Sequence, residues 1–488
     1  MDNTKNKKTF GVFTLAMINV AAIVSLRGLP SEAVYGLSSV FYYVFAAVCF
    51  LIPVSLISAE MGTGWQQKGG VFRWVGEAFG PFWGFLAIFL QWIQNTIWFP
   101  TALTFAAVSL AFIDPNQSIA ASLAANKYYT LAIVLVVYWA ATIINFFGVK
   151  FSGAISKWGV IVGTLIPGAF IIILGILYLA MGNPSHIAFD AKELIPDITK
   201  FGNLSLAVSI FLFYAGMEMS SVHVKDIDNP KKNYPKAILL ASVITVCVFI
   251  VGTLAIGVII PSQQINLTQS LLVAYYDVLD LFHLKYIASI IALCLAFGVF
   301  GQVSTWIAGP SKGLLAVGKA GYLPLWLQKL NKKGVQVNIL IVQACIVTIL
   351  SVMFVLLPSV QSAYQILSAM CVTLYLIMYI LLFLSFIKLR ISQPNVKRDF
   401  TVPGGTVGMI IIGGIGLIAS ATAFFFGFIP PTQIAVGSTS NWIMILIIGN
   451  LIGVLIPFVF YKMRKPAWKS EDKEDAFEPF SWEKKDNT

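Results

Sequence analysis

The sequence predicts an all-α integral membrane fold of about twelve transmembrane helices. Three observations carry that reading: the composition, the number of apolar runs, and the way cations divide between the loops. Of 488 residues, 58% are hydrophobic and 14% aromatic, while only 11% are charged. The mean hydropathy is +0.84. A soluble domain is about a quarter charged, so lipid rather than water surrounds most of this chain. The opening "MDNTKNKKTF" is basic but leads into a long span without a small-residue cleavage site, so no cleaved signal is expected.

Each span approaches the ~20 residues that cross ~30 Å of hydrocarbon. In order they fall at about 11–29, 38–58, 83–112, 128–147, 154–181, 202–224, 236–260, 286–317, 337–357, 363–389, 407–428 and 441–462, between tails 1–10 and 463–488. The loops justify these boundaries. Lys68 and Arg73 follow the second span, Lys150 and Lys157 the fourth, and Lys225, Lys231, Lys232 and Lys236 the sixth. Lys312, Lys319, Lys329, Lys332 and Lys333 attend the eighth, and Lys388, Arg390, Lys397 and Arg398 the tenth. The loops on the other side hold only Lys127, Lys192, Lys200 and Lys285. Of 32 Lys and Arg, 27 therefore lie on one side, 4 on the other and Arg27 inside a span. The positive-inside rule makes the cation-rich side, with both termini, cytoplasmic. The net charge of +11 is then spread where anionic membrane lipid favours it, and no nucleic-acid partner is needed.

Cys49, Cys247, Cys294, Cys345 and Cys371 all fall within spans, with no CxxC pair. Neither a disulfide framework nor a metal site is indicated, and no cofactor is expected. His186 and His283 read as solvated loop residues. His223, just past the sixth span, reads as structural or as a group titrating near neutral pH.

Two spans are faulted. In "AAIVSLRGLPSEAVYG", Gly28 and Pro30 close one helical piece early and "PSEAVYG" can start another. In "SIFLFYAGMEMSS", Gly216 and Glu218 interrupt an apolar run. Free backbone groups at membrane depth survive only where protein or a cavity surrounds them, and an ionisable residue there is a functional candidate. The faults occupy spans one and six, equivalent positions if ten spans form two five-helix halves, as in inverted-repeat transporters. Arg27 is open to three readings: a side chain snorkelling to the interface, a structural ion partner of Glu218, or a group handling substrate or protons. Glu218 stands largely alone as an acid within the spans.

Further polar positions converge. Gln91, Asn95 and Trp98 of the third span recur at three- to four-residue spacing and share a helix face. Ser304, Thr305 and Trp306 precede Gly309 and Pro310 in the eighth span, and Tyr375 and Tyr379 lie four apart in the tenth. Amides, hydroxyls and aromatic walls suit a small zwitterion: broken-helix N–H groups for its carboxylate, an acid for its ammonium, rings for its stem.

The stretches "SAEMGTGWQQKGGVFRWVGEAFGPFWGF", "FYAGMEMSSVHVKDIDNPKKNYPKA", "STWIAGPSKGLLAVGKAGYLP" and "KRDFTVPGG" resemble the amino acid–polyamine–organocation superfamily. Within it they are similar to bacterial glutamate/GABA antiporters, over about residues 10–460. The resemblance implies a leucine-transporter-type five-plus-five inverted repeat (about 11–181 and 202–389) with extra helices at about 407–462. It implies exchange of an external amino acid, glutamate-like by preference, for an internal amino acid or its decarboxylated amine, in a bacterial inner membrane. Carried over by motif, the first break covers Ile23 to Gly28, with Ser25 and Arg27, and the sixth covers Phe213 to Glu218, with Tyr214 and Gly216. Glu218 corresponds to an acid suited to proton-sensitive gating or ammonium binding, and Tyr375 and Tyr379 to a tyrosine pair on the substrate path. Trp306 and Ser304 join the candidate lining, and a homodimer is a candidate assembly.

Two departures matter. Where such exchangers carry a tyrosine and an acid around the first break, this chain has Arg27 and Gly28, and a fixed cation would select an anionic group. The tail "KSEDKEDAFEPFSWEKKDNT" is short and mixed in charge, so it reads as a disordered end rather than a plug of the inner mouth. Other readings are a proton-coupled symporter, an exchanger of neutral or aromatic amino acids, and a sensor that binds without transporting. The short link after span six argues against a major-facilitator transporter. No filter sequence suggests a channel, and no acid cluster an enzyme.

Overall fold

The structure, a computed structural model, describes residues 11–67, 69–148, 155, 157–197, 201–219, 229–470 and 477–485. The tail 1–10, Lys68, Lys150, Lys200, His223, Lys225 and most of the motif after the sixth span lie outside the described residues.

Secondary structure among the described residues is helical apart from one isolated bridge between Ala320 and Lys469. The first span is split into α1 (Val12–Ile23) and α2 (Leu29–Ala33). There follow α3 (Ser38–Gly64), α4 (Val71–Phe79), α5 (Pro81–Ala111), α6 (Gln117–Ala125), α7 (Lys127–Phe146) and α8 (Lys157–Ala180). The sixth span is split into α9 (Phe201–Ala207) and α10 (Ser209–Tyr214). Beyond it lie α11 (Pro230–Ile259), α12 (Ser270–Asp280), α13 (Lys285–Lys319), α14 (Val337–Ser351), α15 (Val360–Ser392), α16 (Gly405–Phe426), α17 (Thr439–Met463) and the short α18 (Ser481–Lys485).

Nine helices among the described residues are long and apolar enough to cross a membrane. They coincide with nine of the expected spans. The remaining three are the two split spans and α5, a continuous helix of 31 residues carrying Gln91, Gln94, Asn95, Thr96 and Thr101. These departures from plain hydrophobicity lie next to the cavity described below.

Layering follows from which helices protein covers. In its most apolar stretch α15 is 78% buried by protein, whereas α17 is 22% buried. Ile447, Ile448, Leu451, Ile452 and Leu455 of α17 face outward, as a lipid-facing surface requires. The centre is built from α5 packed on α13 and α15, with α1 against α11. Small residues let backbones meet: a Cβ on Gly163 of α8 would overlap the backbone of Gly298 in α13, and one on Gly175 would overlap Ala255. Gly163 sits in a π-helical turn, Ile161–Leu165.

Two expectations need correction. Glu218 is not the only deeply buried acid: Glu32, Glu60 and Glu77 are also buried. Glu60 of α3 is held by Arg390 (2.7 Å), by Arg398 (3.3 Å) and by the Val402 N–H (2.7 Å), so it ties α3 to the end of α15 and the following loop. Nor is the C-terminal tail free over its described part. Arg73 of α4 donates to the carbonyls of Glu478 (2.6 Å) and Pro479 (3.1 Å) and lies over the Phe480 ring. Glu77 pairs with Arg73 (3.1 Å) and accepts from the Ser481 N–H (3.0 Å). Phe480 is buried and Phe477 packs on Phe72. The physical reason is local: "AFEPFSW" supplies three aromatics, and Gly69 and Gly76 leave room for two of the rings. Mixed overall charge had hidden that apolar cluster.

Candidate functional site

Both breaks face one place. After α1, Val24 and Ser25 are extended, a single turn covers Leu26–Gly28, and α2 restarts with Pro30 in its first turn. Proline there forfeits only an N–H that the helix start leaves unbonded anyway. After α10, Ala215 is extended and Gly216 has φ +112°, a conformation that requires glycine. The Gly216 N–H donates to the Tyr379 hydroxyl at 2.9 Å. Gly28 is needed for a different reason: a Cβ there would overlap the ring of Phe213.

Arg27 is 3% exposed, so it does not snorkel to an interface. Its Nη1 donates to Thr101 Oγ1 at 2.8 Å, and the guanidinium lies 5.3 Å from the centre of the Trp98 ring and 6.0 Å from that of Phe213. Its Nε has no hydrogen-bond partner among the described residues. No salt bridge joins it to Glu218 among the described residues. The two are in separate layers.

One layer is a cavity of about 40 Å³ lined by Ile23, Ser25, Arg27, Gln94, Asn95, Trp98, Leu212, Phe213, Ala215, Gln302, Trp306 and Tyr375. Asn95 donates to the Trp306 carbonyl at 3.0 Å, and Trp98 and Trp306 approach to 6.2 Å between centroids. That volume holds a water or two and falls far below the several hundred Å³ typical of ligand pockets. In this conformation the site is too small for an amino acid.

The other layer surrounds Glu218. Tyr375 donates to one carboxylate oxygen at 2.5 Å, Tyr379 to the other at 2.6 Å, and Gln91 Nε2 to the first at 3.0 Å. The two tyrosine rings lie 4.7 Å apart. Three donors converge on an acceptor-only group, and Tyr375 belongs to both layers.

Of the residues singled out from sequence, Ile23, Ser25, Arg27, Asn95, Trp98, Phe213, Trp306 and Tyr375 line the cavity. Gln91, Gly216 and Tyr379 act through the Glu218 layer. Tyr214 instead donates to the Tyr43 carbonyl at 3.2 Å. Ser304 is turned toward α7, where its hydroxyl accepts from Asn145 at 3.1 Å, and it does not line the cavity. Gln94, Gln302 and Thr101 went unnoticed. Gln94 sits inside the run "QWIQN" of the third span, and counting every amide in that span would have found it. Gln302 has the same signal in "GQVSTW".

Comparison with known proteins decides the family. The family described as Amino acid permease matches residues 10–450. This chain belongs to the amino acid permease family, within the amino acid–polyamine–organocation superfamily. The permease is 40% identical over 467 residues to an uncharacterized transporter, lpg1691, of Legionella pneumophila, covering 96% of this chain and 99% of that one. It is 31% identical over 463 residues to a glutamate/gamma-aminobutyrate antiporter of Lactococcus lactis, covering 94% and 91%. It is 24% identical over 460 residues to a probable agmatine/putrescine antiporter of the same species, covering 93% and 96%. The permease is thus a multi-pass membrane transporter and not an enzyme.

Proposed function

We propose that the permease is a secondary exchanger that takes a glutamate-like external amino acid in return for an internal amino acid or its decarboxylated amine, by alternating access. The observation that carries this reading is Arg27: a buried guanidinium in the cavity between two helix breaks, with Thr101 and aromatic faces but, among the described residues, no carboxylate against it. A fixed cation so placed favours a substrate with a second carboxylate. Glu218, in the adjoining layer, offers the ammonium group an acceptor, or the cycle a gate. The small cavity fits a cycle in which the two halves must part before substrate enters.

The proposal includes twelve spans in a five-plus-five inverted repeat with two added helices, both ends facing the cytoplasm of a bacterial cell. The aromatic lining from Trp98, Phe213, Trp306 and Tyr375 favours a second reading, exchange of neutral or aromatic amino acids.

Counterflow in proteoliposomes separates these. Vesicles preloaded with glutamate, GABA, tyrosine or nothing are tested for uptake of labelled glutamate and labelled tyrosine. The proposal expects glutamate uptake only into loaded vesicles, and its selective loss in Arg27→Ala while the protein stays folded. Uptake into empty vesicles would point to symport. Tyrosine exchange without glutamate exchange selects the second reading, and no flux of any substrate would leave a binding sensor.

A further inference from the structure

Glu32 lies in α2, five residues beyond Arg27, and is fully buried, with neither carboxyl oxygen hydrogen-bonded among the described residues. The hydroxyl of its neighbour Ser31 is also buried without a partner. Three of the tyrosine hydroxyls around Glu32 have partners elsewhere. The Tyr35 hydroxyl accepts from the Ala207 N–H (3.1 Å), that of Tyr43 bonds Thr253 (3.0 Å), and that of Tyr214 donates to the Tyr43 carbonyl (3.2 Å). The titratable groups in electrostatic reach are Tyr35, Tyr42, Tyr43 and Tyr214, and Cys247 of α11 stands beyond Tyr214. The helices α9, α11 and α12, which pack on α2, bring no charge to bear on it among the described residues.

A buried carboxylate needs a cation or several donors, as Glu218 and Glu60 have. Without either, the neutral acid is the form that burial tolerates. We propose that Glu32 is a proton-binding site of the permease, loaded in this conformation, where it is buried, and emptied when α2 moves off α11 and meets water. The exchange is simple in its chemistry: as the site closes the carboxylate takes a proton from hydronium, whose O–H bond breaks to leave water while the carboxyl O–H bond forms. It returns that proton to water when the site opens on the other side. The two buried acids then divide the work, with Glu218 held by donors beside the substrate and Glu32 carrying a proton on the moving half-helix. The coupling part rests on the alternating-access reading above; the protonation itself does not.

Infrared spectra of the purified full-length protein in heavy water at neutral pH test the protonation. The carboxylic-acid carbonyl band is expected in the wild type, with the intensity of one group lost in Glu32→Gln; if that variant misfolds, Glu32→Asp should shift the same band. Identical wild-type and variant spectra in that region would overturn the proposal. Homoexchange of labelled glutamate then tests the coupling, because glutamate keeps one charge state between mildly acidic and mildly alkaline pH. The wild-type rate should fall by up to about tenfold per pH unit once the site no longer reloads, while Glu32→Gln exchanges at a rate independent of pH. A variant that keeps the wild-type pH profile sinks the coupling. If glutamate is not carried at all, the acidic-substrate reading fails and the infrared result still stands alone.

Discussion

At the scale of single residues, Arg27 and Gly28 do opposite things side by side. Arg27 places charge in the cavity, and Gly28 removes bulk so that Phe213 can cross beneath the first break. Gly28→Ala should therefore push the Phe213 ring out of place and cost about 1–3 kcal/mol, the usual penalty for overpacking. Thermal melting in detergent measures it, and an unchanged melting temperature would show that the ring has room to yield. Arg27 was legible as a candidate because a cation within an apolar run is conspicuous. Its partners were not, since Thr101 and Trp98 come from a helix about seventy residues later. Glu32 was missed for the converse reason. An acid just past an apolar run reads as the solvated start of a helix. Only the packing of α9, α11 and α12 on α2 leaves it fully buried.

At the scale of elements, the breaks were readable and the helix contacts were not. Glycine, proline and a charge within an apolar run mark a fault wherever they occur, because backbone groups freed in lipid must find partners. The meeting of α8 and α13 has no such local mark. Gly163 and Gly298 are ordinary glycines in sequence, yet each occupies the space that a side chain on the other would need. Gly298→Leu should force the two helices apart by the depth of a side chain and abolish a stable, monodisperse protein in size-exclusion chromatography. An equivalent change at Gly414, whose Cβ would meet nothing within 4 Å, should leave the profile unaltered.

At the scale of the whole molecule, the end of the chain is fastened to its first third. Arg73 and Glu77 form a buried pair that also holds the backbone from Glu478 to Ser481, and Gln393 at the end of α15 donates to both Glu77 and Ser481. Arg73→Ala would leave Glu77 buried with less compensation, at a cost of about 3–5 kcal/mol, and would free the tail. Limited proteolysis should then cut the variant within residues 477–485 much faster than the wild type; equal rates would mean that Phe477 and Phe480 hold the tail without the arginine.

The sequence by itself determined that the chain lives in lipid, roughly where its helices run, which two are interrupted, and to which superfamily its motifs belong. Those properties are sums or local patterns: hydropathy over about 20 residues, punctuation by glycine and proline, and the side on which lysines fall. Tertiary structure alone decided which polar residues share a cavity, that Arg27 and Glu218 occupy different layers, that Ser304 turns away, that Glu32 is dry and that the tail is docked. Each of those depends on which distant residue a side chain meets, and burial and hydrogen-bond partners are properties of pairs of elements rather than of any one stretch of chain.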